Sequence, residues 1–164
     1  MKCFAYIALF FWSFSVGSEP ITKVIISVKH TKLNNQNKAA GTGFFNTMRG
    51  IEYRLKNMSS GDITSIRQKK KMKVLNLVEG DYCFTSKMHD YLNQGEYQPI
   101  LNPICFTVLG SKPINTGTWL IGHTMGRKGS YALIIGHEEN YDELADKLSV
   151  KDFEVPKFSQ PNKN

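Results

Sequence analysis

Seven consecutive positions, Arg67-Gln68-Lys69-Lys70-Lys71-Met72-Lys73, carry five cations. Charge at that density can lie along one polyanion and release the counterions of a sulfated polymer, an anionic lipid or a nucleic acid. The same residues also suit a solvated hairpin turn, or an edge strand that lysine keeps from pairing with other edges. Nucleic acid is the weakest of these partners, because no aromatic residue is interleaved with the cluster for a base to stack on. Arg67, Lys69, Lys70, Lys71 and Lys73 are therefore the candidate contacts for a polyanion.

The histidines are His30, His89, His123 and His137, and two of them share an echo: Leu120-Ile121-Gly122-His123 and Ile134-Ile135-Gly136-His137. If those stretches form a hairpin, His123 faces Tyr131 near the turn and His137 lies further along the return strand, roughly 20 Å away at the rise of an extended chain. That separation forbids a shared metal site. The acidic residues Glu138, Glu139, Asp142, Glu143 and Asp146 are explained by a helix start without chemistry. No Gly-x-Ser-x-Gly elbow, His-Glu-x-x-His helix or phosphate-binding glycine loop is present, and Gly41-Thr42-Gly43 lacks the lysine such a loop needs. The expectation is a non-enzymatic protein without a cofactor.

Met1-Lys2 runs into an apolar stretch, Cys3 to Trp12, which is too short to span a bilayer and suits the core of a signal peptide. Val16 and Ser18 fit cleavage before Glu19, or Ser15 and Gly17 cleavage one residue earlier, so residues 1–18 are read as an export signal and residues 19–150 as one domain. No later segment approaches transmembrane length. Removing Lys2 lowers the net charge from +7 to +6, and a basic exported protein tends to adhere to acidic extracellular polymers. Cys3 leaves with the signal, and the remaining Cys83 and Cys105 are expected to form a disulfide in an oxidising compartment. Asn57-Met58-Ser59 is a glycosylation sequon, which makes Asn57 a candidate glycan site.

These residues hang on a succession of short strands. Residues 21–29 are rich in β-branched side chains, and residues 49–56 alternate Ile51, Tyr53 and Leu55 against Glu52, Arg54 and Lys56. Further strands are expected at 63–66, 71–78, 104–109, 118–122 and 131–135, with turns at 59–62 and 110–113. Residues 86–98 are left between a short helix and a loop. One helix follows Asn140, the expected N-cap, with Glu143 three residues on as a capping box. Pro156 and Pro161 mark residues 151–164 as a disordered polar tail. Many strands, one late helix and no parallel β-α-β rhythm predict a mainly β fold, a small antiparallel OB-like barrel with a C-terminal helix.

The stretch from Val24 to Lys29, followed by Met48-Arg49-Gly50-Ile51-Glu52-Tyr53-Arg54-Leu55-Lys56, resembles the first strands of the netrin-like module. Gly117-Thr118-Trp119-Leu120-Ile121-Gly122 is similar to that module's later strand ending in aromatic-Leu-Ile-x-Gly. The resemblance implies a secreted five-stranded barrel of the kind found at the N-terminus of tissue inhibitors of metalloproteinases, binding proteins or polyanions. The mature chain lacks the Cys-x-Cys start through which those inhibitors cap a protease's zinc, and it has two cysteines where they have about six. No site residue of the family transfers. The expected function is a secreted binding or inhibitor-like protein acting on an extracellular protein or a sulfated polysaccharide. A lipocalin-like carrier of a small apolar ligand is the alternative, although the carrier's Gly-x-Trp near the mature N-terminus is missing.

Overall fold

The structure, a computed structural model, describes residues 20–34, 36–39, 51–68, 72–89, 96–124 and 131–160. The export signal expected at residues 1–18 and the lysines 69–71 lie outside the described residues. Strands dominate: β1 (Ile21–Lys32), β2 (Ile51–Asn57), β3 (Ile63–Gln68), β4 (Met72–Val78), β5 (Gly80–His89), β6 (Tyr97–Pro99), β7 (Cys105–Val108), β8 (Ile114–His123), β9 (Ala132–Glu138) and β10 (Phe158–Ser159), with one helix, α1 (Tyr141–Lys147). No described helix is long and apolar enough to cross a membrane.

The expected mainly β class holds, but the described strands do not close into a barrel. They form two sheets, β4-β1-β8-β9 and β10-β7-β5-β2-β3, with β6 on the same edge of β5 as β7. The first sheet is mixed, since β1 runs parallel to β8 and antiparallel to β4, which also departs from the all-antiparallel expectation. A bridge between Ile100 and Ala132 ties the two sheets together beside β9.

Alternation decides which side chains enter the space between the sheets. On β1 these are Val24, Ile26 and Val28; on β2 Ile51, Tyr53 and Leu55; on β8 Trp119 and Ile121; all are buried. Trp119, Tyr53, Phe84 and Phe106 are each at most 1% exposed. Phe84 meets Trp119 with ring centroids 6.0 Å apart and Tyr53 edge-on at 6.1 Å, while Tyr82 stacks on Phe106 at 6.1 Å. Such offset and edge contacts suit the ring quadrupoles and add to the burial energy.

A bulge in β8 organises one flank. Ile25 pairs with Asn115 and Ser27 with Thr118, so Thr116 and Gly117 together oppose Ile26. Gly117 has φ +68°, and a Cβ there would stand 2.7 Å from the Glu138 carbonyl and from His137 Nε2, so only glycine fits. The freed Thr116 becomes a hub. Its hydroxyl donates to the Ile25 carbonyl (3.1 Å) and accepts from Trp119 Nε1 (3.2 Å), while its carbonyl accepts from His137 Nε2 (2.6 Å).

Two local expectations need correction. Asn140 precedes α1 but makes no side-chain cap bond; its φ and ψ, −92° and 45°, turn the side chain away from the first amides. Asn115 Nδ2 instead donates to the Tyr141 carbonyl (2.8 Å), anchoring the helix to β8. The tail expected to be disordered from residue 151 is laid along the fold as far as residue 160. Asn115 N donates to the Glu154 carbonyl (2.9 Å), β10 pairs with β7, and Phe158 stands edge-on to Trp119 at 5.1 Å. In the described stretch, apolar contact of Phe158 with a core tryptophan outweighs Pro156 as a guide to order.

Candidate functional site

The two described members of the basic segment do not share a face. Arg67 is exposed on the outer face of β3, directly opposite Glu52 on β2. Lys73 pairs with Ile26 and shares the parity of Leu75 and Leu77, which places it half-buried on the inner face of edge strand β4. An inward lysine on an edge strand is one of the devices that block edge-to-edge pairing. Lys69, Lys70 and Lys71 lie between these strands, outside the described residues.

Around Arg67 the outer face of the second sheet is a fixed polar array. The Arg54 guanidinium lies over the Tyr97 ring, 3.4 Å from its centroid, and the Tyr97 hydroxyl donates to Glu52. That hydrogen bond holds the Glu52 carboxyl below its ordinary range; burial works against it, and Ser65, Arg67 and Arg54 add to it. Arg67 thus faces a carboxylate that stays ionised.

Cys83 and Cys105 are paired across β5 and β7 at disulfide distance, with Cα atoms 4.1 Å apart. Asn57 is not presented as an accessible glycan acceptor. It is 2% exposed, its Oδ1 accepts from the amides of Ser59 (2.9 Å) and Ser60 (3.1 Å), and its Nδ2 packs where a Cβ on Gly80 would stand 2.7 Å away. A glycan on that nitrogen would have to displace the turn.

The echoed histidines are held apart, in different settings. His123 pairs with Ala132, one residue beyond the expected Tyr131, and His137 pairs with Trp119. His137 lies between Trp119, tilted at 44° with centroids 4.6 Å apart, and Phe158, edge-on at 4.9 Å, a packing role.

A second group of ionisable side chains, which the sequence reading did not bring together, sits between the sheets. It lies where β1, β5 and β8 end and where β2 and β9 begin. The alternation Val24, Ile26, Val28 carries on to His30, and Trp119, Ile121 carries on to His123, so both imidazoles point inward. His30 Nδ1 lies 3.1 Å from His123 Nε2 and 2.6 Å from the Tyr53 hydroxyl. The His30 ring stacks on Tyr53 with centroids 5.5 Å apart and an interplanar angle of 7°. Tyr53 and His123 are 0% and 1% exposed. Burial pushes the Tyr53 phenol well above its ordinary range, so its hydroxyl keeps a proton to donate.

Lys87 belongs to the same region. It pairs with Tyr53 across β2 and β5 and is 4% exposed. A register shift between Arg54 and Leu55 puts it on the inner face, out of phase with Phe84. Desolvation alone pulls its ammonium down to about 8. The signal for His30 and His123 was present in the strand alternation, whereas Lys87 could not be found without knowing of the bulge.

No family model matches the chain, and neither a curated protein nor a solved structure does.

Proposed function

We propose that the chain is an exported, non-enzymatic protein that recognises its partner with its outer surface, and that the partner is an extracellular protein or a sulfated polysaccharide. The observation that carries this reading is the filled interior. A carrier of an apolar ligand needs an enclosed cavity of several hundred cubic ångströms, and the middle of the space between the sheets is occupied by Phe84 in ring contact with Trp119 and Tyr53, and by Phe106 stacked on Tyr82. Recognition is left to the outer faces, and the net charge, +7 for the whole chain and one unit less without Lys2, favours an acidic partner. The netrin-like resemblance favours the same class of partner, although the open two-sheet arrangement departs from that module's closed barrel.

The test is retention of the disulfide-intact protein on immobilised heparin across a salt series. Contacts to a polyanion release counterions, so affinity should fall steeply as salt rises. Replacing Arg67, Lys69, Lys70, Lys71 and Lys73 by serine should move elution to markedly lower salt. Elution unchanged by those replacements defeats the polyanion reading, and a stoichiometric lipid co-purifying with the protein would move the assignment to the carrier.

A further inference from the structure

We propose that Arg54, held flat on the Tyr97 ring, is the residue through which the outer face of the second sheet grips a sulfate group of a polysaccharide, and that Tyr97 reserves it for that role by engaging Glu52. The inference rests on the polyanion reading above and names the contact that would do the reading.

The alternation of β2 sends Glu52, Arg54 and Lys56 to the outer face, opposite Arg67, Ser65 and Ile63 on β3. On its other side Arg54 stands opposite Ser86 of β5, a residue small enough for the arginine stem to cross toward Tyr97 on β6. There the guanidinium lies 3.4 Å from the ring centroid. Among the described residues it makes no ion pair, and its Nε is buried without a hydrogen-bond partner, so the two Nη groups form the edge that a ligand can meet. The neighbouring carboxylate is taken by Tyr97 instead. The phenol donates to Glu52, and among the groups that lower the Glu52 pKa this hydrogen bond comes first and the Arg54 charge last.

Tyr97 therefore acts on Arg54 twice. Its face holds the cation by attraction to the ring quadrupole, and its hydroxyl occupies the carboxylate that would otherwise compete for it. A guanidinium fixed in this way gives up little side-chain freedom when a ligand arrives. It is always charged, and its planar edge matches two oxygens of a tetrahedral oxyanion, which an ammonium does not. Lys56 stands two residues along β2, roughly 7 Å away at the rise of a strand, and Arg67 lies one residue pair over on β3. Successive anionic groups of one polymer thus find cations on the same face.

The experiment measures by calorimetry, at one fixed salt concentration, the affinity of the disulfide-intact chain for a size-defined heparin fragment. Arg54→Lys keeps the charge and loses the planar edge, and it should weaken binding about tenfold, the scale of one hydrogen bond to a charged group. That loss should vanish on desulfated heparin, which keeps its carboxylates. Tyr97→Phe removes no charge and keeps the ring, yet it should also weaken binding, because Glu52 is released toward Arg54. Adding Glu52→Gln to Tyr97→Phe should restore affinity, and by more than Glu139→Gln, which makes the same change of charge at an exposed position beyond β9. Affinity unchanged in both Arg54→Lys and Tyr97→Phe, while serine replacement of the basic segment lowers it, overturns this inference and leaves the polyanion reading standing. Wild-type protein that does not bind the fragment overturns both, and an equal Arg54→Lys loss on desulfated heparin overturns the assignment to sulfate.

Discussion

The two ends of the space between the sheets are built by the same strands and filled with opposite chemistry. In the middle and toward one end, inward positions hold Trp119, Phe84, Phe106 and Tyr82 in ring contact. Toward the other end the inward positions of β1, β8 and β5 are His30, His123 and Lys87. Tyr53 is the boundary residue, its ring against Phe84 and its hydroxyl against His30. Burying a polar group costs free energy unless it is matched. Leucine or phenylalanine at the ionisable positions would serve stability better, so the comparison separates the residues that hold the fold from those available for chemistry.

The largest expected effect is at the apolar end. Trp119→Ala removes a fully buried indole and leaves the Thr116 hydroxyl without its donor, and denaturant unfolding should show a loss of about 3–5 kcal/mol. Tyr53→Phe, at the boundary, loses only the hydroxyl and should cost about 1 kcal/mol. Equal losses for the two would erase the distinction.

Next in size is the cystine. Its closed loop spans residues 83 to 105, for which the chain-entropy relation gives about 3.4 kcal/mol. Unfolding with and without reductant should differ by nearly that much, and intact mass should rise by two hydrogen atoms on reduction.

At the polar end the sign reverses. The folded pKa of Lys87 is depressed from 10.5 to about 8, so between those values the unfolded chain holds a proton that the folded chain lacks, and stability rises with pH. Below about pH 8 both states are protonated and the cost of burying the ammonium is constant. Lys87→Met should therefore stabilise the protein by roughly 3 kcal/mol at about pH 7, with the gain shrinking as pH climbs toward 10.5. A destabilised Lys87→Met at neutral pH would show that the ammonium has a compensating partner.

The smallest effect belongs to the turn after β2. Asn57→Ala strips the acceptor from two amides and should cost about 1–2 kcal/mol, read from the unfolding midpoint. Asn57→Asp keeps an acceptor while removing the sequon, so it should retain most of that stability and leave the mass of the chain free of any glycan difference.

Much of the fold was legible because strands announce themselves by alternation. β1, β2, β4, β7 and β9 fall close to the expected segments. β5 was not foreseen as the central strand of its sheet. It starts at Gly80, where φ is +150° and the residues read as a stop, and its bulge breaks the period of two around Ser86. The parallel pairing of β1 with β8 joins residues about ninety positions apart and leaves no mark on either segment. β10 is two residues long and takes its place from Phe158 against Trp119, a tertiary contact that no local pattern encodes. The candidate site divides in the same way. His30 and His123 face inward by simple parity, but their meeting with Tyr53 depends on how two sheets stack. The basic segment was legible as charge, while the opposite faces taken by Arg67 and Lys73 depend on strand register.

Native-state hydrogen exchange across low denaturant, resolved along β1, β5 and β8, tests the division between the two ends most directly. A region that buries ionisable groups should open locally at lower free energy than one filled by aromatic rings. Amides around Val24 and Ile26, Tyr82 and Phe84, and Trp119 should exchange only through global unfolding. Those around Thr31 and Lys32, Lys87 and Met88, and His123 should exchange through a smaller opening that is nearly independent of denaturant. Uniform protection along all three strands, at the global unfolding free energy, would contradict the account.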